Sequence, residues 1–286
     1  MGLHPLAVVH PSAKIGRDCE IGPFAIVEEN AVLGDRCIVE SHVVIRRGVV
    51  LGDDNRVCEH TVIGGLAQHL QARNYDGGLT IGSGNTFREN VTIHRALAPE
   101  GRTVIGNGNF LMVGAHVAHD CRVADNVIMA NGAMLGGFVS VDDKAFISGA
   151  VAVHQFCRIG RQCMIGGTAR VVKDVPPYVT IDGASNFVVG LNTIGLRRSG
   201  MSGKDILPLK QAYRVIYRSC LSWNAVLEQL AAEFPTGAAA EFHRFCLGTK
   251  RGIVAERRLP PGATIKLAMA DEVEDGEDRK PQAKVG

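Results

Sequence analysis

Tryptophan occurs once, and aromatic residues make up only 5% of the chain. That leaves few platforms on which nucleobases could stack. A surplus of either charge is also lacking: 31 Lys and Arg face 29 Asp and Glu, for a formal net charge of +2. A dedicated nucleic-acid binder carries a strongly basic face, so nucleic acid is not an expected partner. No run approaches the ~18 apolar residues of a membrane-spanning helix, so no integral membrane segment is expected. The opening MGLHPLAVVHPS has neither a basic leader region nor an apolar one. The eight cysteines, Cys19, Cys37, Cys58, Cys121, Cys157, Cys163, Cys220 and Cys246, form no CxxC pair. They read as reduced, mostly buried thiols of a cytoplasmic protein rather than as disulfides or zinc ligands.

What the chain does have is glycine, 34 residues of it, beside a hydrophobic content of 46%. Glycine among plentiful aliphatics suggests many tight corners rather than disorder. A period of six organises them. Stepping from Leu3 gives Val9, Ile15, Ile21, Val27, Leu33, Val39, Ile45, Leu51, Val57 and Ile63, all aliphatic. The pattern pauses at residues 65–78 and returns at Ile81, Phe87 and Ile93. It pauses again at residues 95–103. Then it runs from Ile105 through Leu111, Val117, Val123, Met129, Leu135, Val141, Ile147, Val153, Ile159 and Ile165 to Val171.

A six-residue period fits neither an amphipathic helix nor a simple strand. It fits a solenoid of short strands, with one aliphatic side chain pointing inward per face and left-handed-tolerant residues at the corners. Three faces close a coil of 18 residues, and neighbouring coils lie ~4.8 Å apart. The two pauses read as loops bulging from the scaffold, where function commonly sits. The period stops at KDVPPYV, and Val175-Pro176-Pro177 is expected to end the regular strands.

From Ser202 the period becomes about 3.6, and residues 203–219, 222–234 and 236–248 read as three short helices, with Ser222 and Thr236 as N-caps. The expected fold class is mainly β: a parallel β-helix over 1–185, then a small helical domain over 186–257. The acidic and proline-containing end, 258–286, reads as a disordered tail.

The repeat arithmetic also assembles a candidate site. Val117, Leu135 and Val153 are 18 apart and stack on one face. His119 lies two residues past Val117, and His154 one residue past Val153. Two coils separate them, which puts their backbones ~10 Å apart. Gly137 and Phe138 fall on the coil between, and His116 is expected at the preceding corner. This gathers imidazoles on one outer wall. Such a histidine can be a polar contact, a metal ligand or a general base. HxxH on a β-coil does not align both rings as HExxH on a helix does, and no third ligand is fixed, so no metal site is assigned. Asp120 beside His119 favours the base, because a carboxylate holds the tautomer and stabilises the imidazolium.

Around these residues the chain resembles the UDP-N-acetylglucosamine O-acyltransferase family of lipid A biosynthesis. The resemblance rests on IGPFAIV (21–27), LTIGSGNTFRENVTIHR (79–95), HVAHDC (116–121), FVSVDDKAFISG (138–149), AVHQFCRIG (152–160), KDVPPYV (173–179), GLNTIGLRR (190–198) and AYRVIYRS (212–219). It spans nearly everything up to Val254. It implies a left-handed coil, a homotrimer with sites between subunits, and a cytoplasmic enzyme of lipid metabolism without a cofactor. The enzyme would move a (3-hydroxy)acyl chain from acyl carrier protein to the 3-hydroxyl of a UDP-amino sugar.

The resemblance assigns His119 as base, Asp120 as its orienting partner and the Gly137 N–H as oxyanion donor. It places His116, His154, Gln155 and Asn192 against substrate, Arg198 near the phosphates, and Gly167 where acyl length is set. His69 and Gln71 occupy the loop positions that read Asp and Lys in many members (QHLQ for QDLK). Phe138 stands for a usual histidine, and Ser199 for a second arginine. Arg170, Lys173, Arg214, Arg218, Lys250 and Arg251 are a candidate docking surface for the acidic carrier. N-acyl transfer to a 3-amino sugar, a metal-dependent hydratase and a non-catalytic nucleotide-sugar or carrier scaffold are the alternatives.

Overall fold

The six-residue step becomes a coil because most faces hold a strand of only two residues before the chain turns. The computed structural model describes residues 2–72 and 77–257. In it, strands such as His116–Val117, Arg122–Val123 and Ile128–Met129 follow one another around three faces. The faces are sheets of eleven, nine and eight strands, parallel but for the last strand of the first, and each coil strand pairs with the one a full coil later. On the second face Val117 pairs with Leu135 and Leu135 with Val153, as the period requires. The solenoid is a left-handed parallel β-helix with a small helical part after it.

The inward column is the core. Ile21 through Val171 at the six-residue positions are buried, most of them completely. Each buried aliphatic side chain stabilises by roughly 1.5–3 kcal/mol. The first coil differs: Leu3 is 46% exposed although its side chain is of the inward set. Among the described residues its strand is the edge of the first sheet, with no strand beyond it to cover that side chain. A second inward column, two residues earlier, holds small residues, including Cys19, Cys37, Cys121, Cys157 and Cys163. All eight cysteines are free, and all but Cys220 are buried. Burial pushes the Cys121 thiol up to about 12, which keeps it protonated and inert. In the same column Asn55, Asn85 and Asn109 form a buried amide ladder, with Asn85 Nδ2 donating to Asn55 Oδ1 at 2.9 Å.

Corners turn through the left-handed backbone region, as at Asp120, Phe138 and Phe156. Residues 66–72 and 95–101 interrupt the coils without breaking them. Ile63 pairs with Ile93 and Ile93 with Val117, so the ladder absorbs both insertions. Each leaves after a second-face strand, Val62–Gly65 or Thr92–His94, and returns on the third face. Both insertions therefore emerge at the corner between the second and third faces.

Three expectations are corrected. The prolines do not end the strands: Val179–Ile181 still pairs in parallel with Met164–Ile165, and only then does Val188–Leu191 fold back antiparallel. Pro176 and Pro177 sit at the corner, outside the ladder, where no donor is required. Pro177 packs so closely on Gly160 that a Cβ there would lie 2.4 Å from the proline nitrogen. The helices number four among the described residues: α1 (Thr193–Arg198), α2 (Gly203–Arg218), α3 (Trp223–Glu233) and α4 (Ala240–Leu247). The shortest, α1, is too brief to show a period. Ser222 does cap α3, but Thr236 does not cap α4, whose first turn follows Ala239 without a side-chain cap. The intervening residues form a turn that delays the helix. Ser202 and Asp205 close a reciprocal capping box on α2.

Arg158 ties the helices to the coil, its guanidinium 4.1 Å above the Phe245 ring. These elements belong to one unit ending at Glu256. The expected disordered tail, 258–286, lies outside the described residues.

Candidate active site

At the corner between the second and third faces, the chain brings together groups from three coils and both insertions. His119 is only 6% exposed. Its Nδ1 is 2.8 Å from Asp120 Oδ2. The same carboxylate oxygen accepts from the Leu97 N–H, at 3.0 Å, in the second insertion. Asp120 N–H donates to Thr103 Oγ1 at 2.8 Å. The carboxylate is thus fixed by the insertion, and the imidazole by the carboxylate. With Nδ1 so engaged, Nε2 is the nitrogen left to exchange a proton.

Nε2 lies against Gly137. A Cβ on that glycine would stand 2.8 Å from Nε2 and 2.7 Å from Cε1, so only glycine admits the ring there. The Gly137 N–H donates to no acceptor among the described residues. The same holds for Gln155 N–H, its equivalent one coil on, so the geometry is a property of the corner. At Gly137, however, the residue is buried beside an imidazole.

His69, from the first insertion, approaches the His119 ring edge-on at 5.7 Å between centroids. Its own Nδ1 accepts from the Gln71 N–H at 3.1 Å. Phe138 contacts the same imidazole at 5.4 Å. His116 lies in the strand His116–Val117 rather than at a corner, pairing with Thr92 and Met134. Its Nδ1 is 2.8 Å from Thr92 Oγ1. Burial, helped by the neighbouring His94, pushes its pKa down to about 4, so it is neutral at neutral pH. His94 was not singled out from the sequence. Burial lowers its pKa as well, and its Nδ1 meets the Leu66 carbonyl. Its signal was available: a histidine on the last residue before an insertion.

His154 and Gln155 lie on the same corner two coils beyond His119, both exposed, with His154 Nδ1 3.0 Å from the Gln155 carbonyl. The remaining residues are elsewhere. Gly167 is exposed on the corner between the first and second faces, after the strand Met164–Ile165. Asn192 caps α1 and donates to the Gln162 carbonyl at 2.9 Å, beside the third corner. Arg198 is exposed at the end of α1. Ser199 accepts from Gln162 Nε2 at 2.8 Å, a structural use. Within one chain, then, the expected site residues occupy three different corners.

One group among the described residues has donor atoms close enough to share a metal: Cys58, Glu59 and Glu89, within 4.8 Å. It lies on the first corner, and Arg88 engages Glu89 at 2.8 Å.

The coils and helices find matches among known proteins. A profile described as "Bacterial transferase hexapeptide (six repeats)" covers residues 12–47 and 102–137. Another, "Udp N-acetylglucosamine O-acyltransferase; Domain 2", covers residues 174–254. An acyl-[acyl-carrier-protein]–UDP-N-acetylglucosamine O-acyltransferase of Anaeromyxobacter dehalogenans is 46% identical over 88% of this chain and 99% of its own length.

The chain belongs to the UDP-N-acetylglucosamine O-acyltransferase family.

A member from Janthinobacterium is 43% identical over 88% of this chain and 98% of its own. Among solved members of the family, the Bacteroides fragilis protein superposes with a TM-score of 0.84 at 40% identity, covering 88% of this chain and 99% of that one. The Francisella novicida protein gives 0.86 at 35% identity, covering 94% and 99%. No helix among the described residues is long and apolar enough to cross a membrane.

Proposed function

We propose that this chain transfers an acyl group from acyl carrier protein to the 3-hydroxyl of UDP-N-acetylglucosamine, with His119 as the base, as the first step of lipid A biosynthesis. The observation that carries the reading is the 2.8 Å contact of His119 Nδ1 with Asp120, which leaves Nε2 beside Gly137. Nε2 takes the proton of the sugar hydroxyl as its oxygen attacks the thioester carbon. Asp120 stabilises the imidazolium that forms. Negative charge gathers on the thioester oxygen, where the unpartnered Gly137 N–H can donate. The intermediate collapses, the C–S bond breaks, and the imidazolium returns its proton to the leaving thiolate. No bound cofactor is required by this sequence of steps.

The functional unit is a homotrimer. Support comes from the scatter of site residues: His116, His119, His154 and Gln155 belong to the second face and its corner, Gly167 to another corner, and Asn192 and Arg198 to the third. One substrate meets all of them only where corners of different copies face each other. Arg198 then serves the nucleotide phosphates, Gly167 leaves room for the acyl chain, and His69 and Gln71 contact substrate from the first insertion. For the carrier, Lys173 and Arg251 share the His119 corner, Arg251 donating to the Val172 carbonyl at 3.2 Å. Arg218 is instead engaged by Glu256 at 2.7 Å. The cytoplasm is the expected compartment.

The test is product mass spectrometry with purified protein, a mixture of acyl-carrier thioesters and UDP-N-acetylglucosamine. O-acylated sugar is expected from wild type and not from His119→Ala. Presenting the 3-amino analogue alongside decides the acceptor: preferential amide formation would replace the hydroxyl reading.

A further inference from the structure

Phe138 and Phe156 are placed in a way their own burial does not explain. Both are held at positive φ, 60° and 65°, where a bulky side chain is disfavoured. Their rings stack at 4.8 Å with planes 12° apart. Yet they stay 42% and 50% exposed. The ladder fixes them: Phe138 N–H donates to the His119 carbonyl at 3.1 Å, and Phe156 N–H to the Gly137 carbonyl at 3.0 Å. Phe138 then presents itself to the His119 ring at 5.4 Å, almost perpendicular. Neither ring offers a hydrogen bond, so neither can orient a hydroxyl or a phosphate. An apolar wall against an imidazole can exclude water from it.

We infer that Phe138, propped by Phe156, is a positioning residue that keeps bulk water from His119, so that the acyl group passes to the sugar and not to water. The inference rests on His119 being the base proposed above. The reaction it suppresses is thioester hydrolysis. A water oxygen would attack the thioester carbon while its proton passed to Nε2. The C–S bond would break and the proton would move to the thiolate, leaving a free carboxylic acid and the carrier thiol. Water and a sugar hydroxyl are both O–H nucleophiles, so a base that serves one can serve the other.

The experiment measures free acid and acylated sugar together, by mass spectrometry, for the full chain with carrier thioester and UDP-N-acetylglucosamine. In Phe138→Ala the ratio of hydrolysis to transfer rises about tenfold, a difference of about 1.4 kcal/mol between the two barriers. Phe138→Leu, apolar and bulky, restores most of the wild-type ratio. Adding His119→Ala to Phe138→Ala removes the hydrolysis. The melting temperature of Phe138→Ala stays close to wild type. An unchanged ratio in Phe138→Ala, or lost transfer with no gain of free acid, overturns the role of Phe138 and leaves the His119 reading intact. Transfer persisting in His119→Ala overturns the base itself.

Discussion

Two corners of the solenoid carry histidines, and only one of them has the parts of a catalytic base. On the first corner Phe24, His42 and His60 stack in a column, with His42 and His60 5.0 Å apart and exposed. On the second, His119 sits buried with a carboxylate on Nδ1 and a glycine against Nε2. The corners turn alike, with His42, His60, Asp120 and Phe138 all at φ of 60° and His119 one residue before that position. Corner geometry therefore does not make a base. The difference is the pair of insertions, which leave the coil only at the second corner. One supplies His69 over the imidazole, and the other supplies the Leu97 N–H that pins Asp120.

That contrast can be broken most severely at His119. His119→Ala is expected to lower turnover by at least ~10²-fold, the scale of a lost general base. Steady-state formation of acylated sugar measures it, with circular dichroism to show that the coil is intact. Near-normal turnover would mean that the second corner is no more catalytic than the first. Next is Asp120→Asn, which keeps the shape and removes the charge. A loss of about tenfold or more in kcat, with KM little changed, is expected where an interaction matters chiefly in the transition state. A change confined to KM would assign Asp120 to binding.

A smaller effect concerns His116. Its pKa of about 4 lies below the ordinary 6.5, so the unfolded chain binds the extra proton first. Stability from this residue is intact above about 6.5 and falls away as pH drops toward 4. Thermal melts of His116→Asn between those pH values should therefore slope less steeply than wild type. Identical slopes would show that His116 is not kept neutral by its surroundings. The smallest effect is on the other corner. His42→Ala and His60→Ala should each leave turnover within about twofold, since exposed positions outside special features tolerate change. A large loss there would erase the distinction between corners.

Much of this was legible in the residues themselves. A period of six says which side chain enters the core, and 18-residue spacing says that His119, Gly137 and His154 share a wall. Local patterns were less complete. α1 spans six residues and shows no period. Thr236 looked like a cap because the turn separating it from α4 leaves no mark in the pattern. His116 was expected at a corner, but its strand begins on it. Val179–Ile181 continued the sheet beyond the prolines because those prolines occupy a corner and not a ladder position.

By itself the sequence determined the coil, its inward columns and the stacking of one coil on the next. A solenoid is nearly one-dimensional, so each repeat answers only to its neighbours and writes its geometry into a short period. Only the tertiary structure decided how the interruptions fold back. The contact of Leu97 with Asp120 joins residues 23 apart, and no period encodes it. The same is true of His69 over His119, and of the three corners among which the remaining site residues are divided. Those contacts depend on where irregular backbone can find donors, acceptors and ring edges in space, which a repeating pattern leaves open.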